Sequence, residues 1–291
     1  MLHLDSAHGR RIGIGLVTLT TICFATLDAS AKWLVQSLPV LEVVWLRFLA
    51  HALITSVLLS PVYGRTMLRV QKPKLQFVRA LMLASMTALN FWALQYLQLA
   101  QTAAIQFSVP LMIALFSAWF LREHLDWRRW AAIITGFAGV LLVIRPGTQA
   151  FHPAILLSVL NAVLYACFNL LTRRMAASES PAATQLMSAL GATVVLAPFA
   201  LAHWKTPEDA LSWGLIAACG LFGGFGHYWV AKAHRYASAA TLSPFLYQQI
   251  IYMLLWGWLL FGQWPDAGVA LGAAIVVASG LALLWVEVKR V

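Results

Sequence analysis

Charged residues are scarce in this 291-residue chain. Only 10% of the residues are Asp, Glu, Lys or Arg, whereas hydrophobic residues make up 61%. An ordinary soluble domain carries about 25% charged residues, so this chain could not cover its surface in water. The scarcity of charge therefore excludes a soluble globular protein and predicts that most of the chain lies in lipid.

Cysteines and catalytic motifs are scarce as well. Cys23, Cys167 and Cys219 lie inside apolar runs without CxxC spacing, which indicates neither a disulfide framework nor a metal site. The chain contains no HExxH, GxSxG or GxxxxGK[ST] pattern. These patterns are typical of zinc proteases, serine hydrolases and ATP-binding loops, respectively. The sequence thus predicts no enzyme activity and no cofactor. The absence of an ATP-binding loop pattern predicts that this chain does not hydrolyse ATP.

What the chain does contain is a set of ten apolar runs of about 20 residues, the length that crosses the hydrocarbon of a bilayer. Continuous runs favour helices over barrel strands, which would alternate polar and apolar residues. The sequence therefore predicts an all-α membrane protein with ten transmembrane helices. The predicted spans cover about residues 12–35, 40–62, 76–98, 102–121, 128–145, 153–174, 182–203, 212–232, 239–261 and 266–286.

The sequence also repeats itself, with a first repeat at residues 11–147 and a second at 148–291. Each repeat contains five predicted spans. Because five is odd, the second repeat must start on the opposite side of the membrane, which predicts two inverted repeats with the functional site between them near the midplane. The matching segments are Phe24 to Lys32 with Tyr165 to Arg173 at a spacing of 141, Tyr96 to Ala104 with Lys232 to Ala240 at 136, and Glu123 to Asp126 with Gln263 to Asp266 at 140.

The net charge of +10 is distributed unevenly. With the N terminus inside, most Lys and Arg residues fall in the connections of one side, as the positive-inside rule requires. This distribution predicts that both termini are cytoplasmic in a multi-pass protein of the bacterial inner membrane. It also accounts for the basic charge without a nucleic acid partner.

Four charged or titratable residues in the first two spans are candidates for gating or coupling: Asp28, Lys32, Arg47 and His51. Asp28 and Lys32 are four residues apart with the acid first, the favourable order for a helical ion pair. This spacing predicts a salt bridge near the outer mouth or, alternatively, an outer gate or a contact for a charged substrate.

Arg47 and His51 share a helix face, and Arg47 lies roughly 10 Å into its span. Arg47 is either an interhelical tie or a substrate or gating residue.

The other deep polar residues are neutral amides, a histidine and tyrosines. Such groups suit a polar, zwitterionic solute better than a multiply charged phosphate, although the aromatic side chains are equally typical of interfacial anchors or packing. Pro110 and Pro244 fall at similar stages of the fourth and ninth spans and predict a kink or a hinge there. The predicted substrate-binding residues are Asn90, Trp92, Gln106, Tyr165, Asn169, His227, Tyr228, Tyr247 and Gln248.

Three segments carry a resemblance to a known family: LEVVWLRFLAHAL at Leu41 to Leu53, Pro110 to Asp126 ending in LREHLD, and ITGFAGVLLVIRPG after it. With the ten-span layout, they resemble the EamA-type carriers of the drug/metabolite transporter superfamily, most of all the YddG-type bacterial amino acid exporters. The resemblance implies a central cavity lined by spans 1, 3, 4, 6, 8 and 9, and alternating access by rocking of helix groups. The chain departs from the family in having Gln263 where the second repeat usually has Glu, and it lacks the deep lysine-arginine pairs of phosphate-recognising relatives.

These observations predict a secondary transporter that exports amino acids, aromatic ones possibly among them, and related small metabolites. Its partners would be an amino acid-like substrate and membrane lipid. Proton coupling stays open, with Asp28 and His227 as titratable candidates, and so does the oligomeric state. The alternatives are a lipid flippase or cationic drug exporter of the same fold, and a membrane enzyme acting on lipid through Glu123, His124 and Asp126.

Overall fold

A computed structural model describes residues 7–121, 126–175, 178–237 and 239–288. Within these ranges the chain forms α-helices and one short 3-10 helix, Gly64–Leu68, and no strand. Ten of its spans are long and apolar enough to cross a membrane, which confirms the predicted all-α fold with ten spans. The helices are α1 (Ala7–Leu34), α2 (Val40–Tyr63), α3 (Pro73–Tyr96), α4 (Leu99–Gln106), α5 (Val109–Leu121), α6 (Trp127–Ile144), α7 (Ile155–Met175), α8 (Pro181–Ala202), α9 (Ala210–Ala233), α10 (Ala239–Leu246), α11 (Gln249–Phe261) and α12 (Ala267–Val288).

Side chains that cap orphan backbone amides fix the starts of several helices. The Asp126 carboxylate accepts a hydrogen bond from the backbone N–H of Arg129 at the start of α6, at 2.9 Å. The Ser180 hydroxyl does the same at the start of α8, and Asp209 does so at the start of α9, where it accepts from the Ser212 N–H at 2.7 Å. Hydrogen bonds from Ser212 lower the pKa of the exposed Asp209 carboxyl below its ordinary value.

Two spans are built from two helices each, and they are the two spans in which Pro110 and Pro244 predicted a kink or a hinge. The fourth span breaks between α4 and α5, and the ninth breaks between α10 and α11. Pro110 explains the first break, because it has no N–H to donate to the carbonyl of Gln106. Pro244 does not explain the second break, because it lies inside α10. Both breaks nevertheless fall at the corresponding place in the two repeats.

The helix packing has an approximate twofold symmetry. α1 packs against α9 as α7 packs against α3, and α2 packs against α9 as α8 packs against α3. The pairs α2–α8 and α6–α12 join equivalent helices of the two repeats. Since each repeat crosses the membrane five times, the two repeats run in opposite directions across it. The segment between α6 and α7 contains the predicted repeat boundary. Which face is cytoplasmic stays a prediction from the positive-inside rule.

The buried apolar side chains form two main clusters. One lies mainly among α1, α2, α3, α8 and α9, and the other mainly among α4, α5, α6, α7 and α12. Three half-buried side chains contact both clusters: Phe107, Tyr165 and Ile250. These three residues therefore lie where the two apolar clusters meet.

Candidate substrate site between the repeats

Asp28 and Asn90 lie together between α1 and α3. The Asn90 Nδ2 donates to the Asp28 Oδ1 at 3.0 Å, and both side chains are half-buried. The guanidinium of Arg47 also acts electrostatically on the Asp28 carboxylate, but the two groups form no direct ion pair. A membrane-embedded carboxyl held by an amide is costly in hydrocarbon and indicates contact with a wet or functional region.

Lys32 does not pair with Asp28, so the predicted local salt bridge is wrong. Its Nζ instead donates to the carbonyls of Leu94 and Leu97, at 2.9 and 2.6 Å. These carbonyls lie at the C-terminal end of α3, where backbone acceptors lack helical partners and the helix dipole favours a cation. Lys32 is only 4% exposed. It therefore ties α1 to α3 in this state.

Arg47 and His51 share one face of α2, as their spacing predicts, and this face meets α3, α8 and α9. Arg47 Nη1 donates to the Thr87 hydroxyl of α3 at 3.2 Å. The His51 ring is stacked with the His227 ring of α9, with centroids 6.2 Å apart. His51 Nε2 also lies 3.3 Å from the amide nitrogen of Gln185 in α8. The predicted residues Arg47, His51 and His227 thus belong to one buried polar cluster.

The amides at the two helix breaks each reach into the opposite repeat. Gln106, the last residue of α4, accepts a hydrogen bond from Asn161 of α7 at 3.0 Å. Gln248, between α10 and α11, donates to the Thr18 hydroxyl of α1 at 3.0 Å. Each broken span is therefore tied to the first span of the other repeat.

Phe107 and Tyr247 mark the centre of this arrangement. They are separated by 140 residues, the spacing that relates the two repeats in this region. Their rings are in contact, with centroids 5.2 Å apart. Tyr247 is buried and its hydroxyl lies against Gly280 of α12 without a hydrogen-bond partner. Two equivalent residues that touch must lie beside the pseudo-twofold axis, so the breaks meet at that axis.

Not every predicted site residue joins these contacts. Trp92 is 37% exposed and shares an outer apolar face of α3 with Val78 and Leu81, which indicates lipid rather than substrate. The Asn169 amide donates to the Tyr165 carbonyl within α7 at 2.7 Å. Both positions were predicted from residue type and depth in the span, which do not indicate which way a side chain faces.

Tyr228 and Tyr165 are half-buried and lie beside basic or aromatic side chains. The Tyr228 ring lies 5.9 Å from the Lys232 Nζ, one turn further along α9. The Tyr165 ring is stacked with Phe168 at a centroid distance of 6.2 Å. Neither contact by itself places a tyrosine hydroxyl among the amides at the helix breaks.

Sequence reasoning did not include Arg79 among the candidates, because it lies only three residues inside the predicted third span, where a basic side chain was counted with the adjacent connection. The structure places Arg79 inside α3, where it donates to the hydroxyls of Thr172 and Ser188 and lies over the Phe168 ring at 4.3 Å. The predicted third span began three residues after the actual start of α3 at Pro73. The depth argument used for Arg47 would have identified Arg79 had the span begun there.

Nothing in the described part of the chain supports a catalytic metal centre. Glu123 and His124, which the enzyme alternative required, lie outside the described residues, and Asp126 caps α6. No group of three potential metal ligands occurs among the residues that the structure covers.

Both halves of the chain match one family model. Residues 11–145 and residues 152–285 each match the EamA-like transporter family. The chain belongs to this family. It is therefore a multi-pass membrane transporter, and the predicted drug/metabolite transporter membership is confirmed. The narrower likeness to YddG-type exporters stays a prediction.

Curated relatives of this EamA-like chain carry different small molecules. An S-adenosylmethionine uptake transporter of Rickettsia bellii is 27% identical over 98% of this chain and 97% of the relative. A riboflavin transporter of Vibrio cholerae is 30% identical over 78% and 76%. A pseudopaline exporter of Pseudomonas aeruginosa is 25% identical over 93% and 95%.

One solved structure also resembles the EamA-like fold described above. It is described as the crystal structure of a protein, and it superposes on this chain with a TM-score of 0.66. The two chains are 18% identical, and the match covers 98% of this chain and 99% of the other. At this identity the likeness supports the fold alone.

Proposed function

We propose that this EamA-like protein is a secondary transporter that exports amino acids, aromatic ones among them, and related small metabolites by alternating access. The observation that carries the proposal is a pair of polar contacts between the repeats at the two helix breaks. Both involve neutral amides, Gln106 with Asn161 and Gln248 with Thr18. A third amide, Asn90, binds Asp28 between α1 and α3 of the first repeat.

Broken helices suit this role. Where a transmembrane helix is interrupted, backbone groups lose their helical partners and become available to a polar solute, and transporters place substrate sites at such breaks near the bilayer midplane. The amides of Gln106 and Gln248 flank the two breaks. They can exchange their present partners for the polar head of a substrate at little net cost, because each lost hydrogen bond is replaced.

The breaks also suit a conformational change. A substrate shifts the balance between inward-open and outward-open states only if it binds the two states differently. Phe107 and Tyr247 touch at the axis between the breaks, so bending of one broken span changes the contact with the other. Lys32 joins α1 to the end of α3 through two hydrogen bonds in the present state. A gate residue is expected to form such a contact in one state and to release it in the other.

The relatives support small metabolites and leave the direction to experiment. S-adenosylmethionine, carried by the Rickettsia relative, bears an α-amino acid group. That relative is an uptake transporter, whereas the Pseudomonas relative is an exporter. Export from this protein rests on its resemblance to amino acid exporters, and the assay must measure flux both ways.

The test uses purified protein in liposomes loaded with labelled L-phenylalanine. Saturable, protein-dependent efflux is expected. Replacing Asn90, Gln106 or Gln248 with Ala removes a hydrogen-bonding amide and should reduce flux about 2- to 10-fold, the equivalent of one neutral hydrogen bond. The matched control is Gln149→Ala, which removes an exposed amide from the connection between α6 and α7.

The outcomes separate the alternatives. If all three interior variants transport as well as Gln149→Ala, the proposed site is wrong. Movement of a labelled phospholipid or a cationic dye without amino acid flux would favour a flippase or a drug exporter. Chemical turnover of a lipid without any flux would favour a membrane enzyme.

A further inference from the structure

Arg47 is a buried cation with unused donors. It is 5% exposed, and its Nε has no hydrogen-bond partner. Among the residues that the structure describes, its direct hydrogen bond goes to the neutral hydroxyl of Thr87. A guanidinium has five N–H donors in a planar fork, so this group keeps donors available for a further acceptor. Gly223 of α9 packs closely against the guanidinium, since an added Cβ there would lie 3.3 Å from Nη2.

Arg79 is a second interior cation without an acidic partner in the described part of the chain. Its acceptors are all neutral: the hydroxyls of Thr172 and Ser188 and the carbonyl of Thr184. Burying a guanidinium without a counter-ion is costly. Charged side chains within transmembrane spans commonly mark substrate or ion pathways. Two arginines without acidic partners therefore indicate a path for an anionic group.

The two arginines occupy comparable depths from opposite faces of the membrane. Arg47 lies seven residues from the start of α2, and Arg79 lies six residues from the start of α3. At 1.5 Å per residue these positions are roughly 10 Å from opposite ends of two antiparallel spans. Arg79 moreover binds Ser188, which is separated from Arg47 by 141 residues, the spacing that relates α2 to α8. Arg79 thus binds, on α8, the position that corresponds to Arg47 on α2.

Two further titratable side chains lie near the arginines. His227 of α9 lies within electrostatic reach of both guanidinium groups. Asp28, with its Asn90 partner, lies within electrostatic reach of Arg47. A guanidinium binds a carboxylate through two parallel hydrogen bonds, and a nearby Asp attracts an ammonium group. This combination of charges is complementary to the head group of an α-amino acid.

We propose that Arg79 and Arg47 are two alternating binding sites for the carboxylate of a zwitterionic substrate, one used in each state of the transport cycle. The proposal rests on the proposed function. In one state the carboxylate binds the arginine nearer the open face, and as the repeats rock it passes to the other arginine. Asp28 then holds the ammonium group beside Arg47.

The experiment compares L-phenylalanine with L-phenylalaninamide, which lacks the carboxylate, as competitors of labelled L-phenylalanine transport in liposomes. The wild type is expected to prefer the carboxylate form about 10-fold or more. Arg79→Gln and Arg47→Gln should each reduce this preference about 10-fold, the lower value of a charged hydrogen bond. Arg79→Lys keeps the charge and should retain part of the preference. The control is Arg69→Gln, which removes an exposed charge beside the 3-10 helix.

The preference ratio distinguishes binding from folding, because a purely structural arginine would reduce flux for both forms equally. If a variant no longer transports, thermal stabilisation of the purified protein by each of the two compounds replaces the flux measurement. An unchanged ratio in both Gln variants, with normal transport by the wild type, overturns this inference and leaves the proposed function intact. A ratio lost equally in Arg69→Gln overturns it as well. A wild type that moves no L-phenylalanine overturns the proposed function and this inference together.

Discussion

The contact between α6 and α12 depends on two glycines whose backbones touch. A Cβ added at Gly272 would lie 2.6 Å from the Gly139 carbonyl oxygen and 2.7 Å from Val143 Cγ2. A Cβ added at Gly139 would lie 2.9 Å from the Gly272 carbonyl oxygen. Small residues allow such close approach of helices in lipid, where packing rather than the hydrophobic effect holds helices together. Gly272→Ala is therefore expected to force α6 and α12 apart.

The magnitude follows from two opposing effects. Ala in place of Gly in a helix stabilises by about 0.5–1 kcal/mol, whereas overpacking a tight contact costs about 1–3 kcal/mol. The obstacle here is a backbone carbonyl, which cannot rotate away, so the cost should lie in the upper part of that range. We expect Gly272→Ala to lower the free energy of unfolding by about 1–2 kcal/mol. Gly214→Ala in α9 meets nothing within 4 Å and should gain the full helix-propensity benefit.

The assay is equilibrium unfolding of both variants in the same detergent, with thermal midpoints as a second measurement. Gly272→Ala should be less stable than Gly214→Ala by about 2–3 kcal/mol, which combines the two effects. Equal stability of the two variants, or greater stability of Gly272→Ala, would refute the idea that backbone contact determines the α6–α12 packing. The substrate preference should not change, because neither glycine lies among the interior polar contacts.

Three further predictions concern single side chains. Lys32→Met leaves the Leu94 and Leu97 carbonyls unpaired and should lower unfolding stability in detergent by about 1–3 kcal/mol; a variant as stable as the wild type would contradict the tie to α3. Tyr247→Phe removes a buried hydroxyl that has no partner, so it should leave the unfolding midpoint unchanged or raise it, and a loss above about 1 kcal/mol would show a hidden partner. Asp209→Ala should lower the unfolding midpoint near neutral pH. This difference should disappear as the pH falls through the lowered pKa of Asp209, because the protonated carboxyl no longer stabilises the folded state. A difference independent of pH would contradict this.

Several features of the site could be predicted from local sequence. The spacing of Arg47 and His51 predicts a shared face, because residues four apart on a helix point the same way, and the structure confirms it. Asn90 and Gln248 were chosen because an amide is costly in lipid and usually faces protein or water, and both make contacts between helices. These predictions needed only helix geometry and the solvent.

Other features depended on partners distant in sequence. The local spacing favoured an ion pair between Lys32 and Asp28, but Lys32 binds the carbonyls at the end of α3 instead. The sequence could not predict this contact, because these carbonyls come within reach of Lys32 only when α1 and α3 pack together. Trp92 lies on the outer face of α3. The packing of α3 against α7 and α8 determines which face of α3 points outward.

The sequence by itself determined that this protein is a ten-span, duplicated membrane protein, because the length of apolar runs is dictated by bilayer thickness and the spacing of matching segments is a property of the chain. Only the tertiary structure decided where each span breaks, which polar groups meet, and that a second arginine lies in the interior. The physical reason is that lipid gives one helix face little preference over another when both are apolar, so contacts between the repeats fix the rotation of each helix.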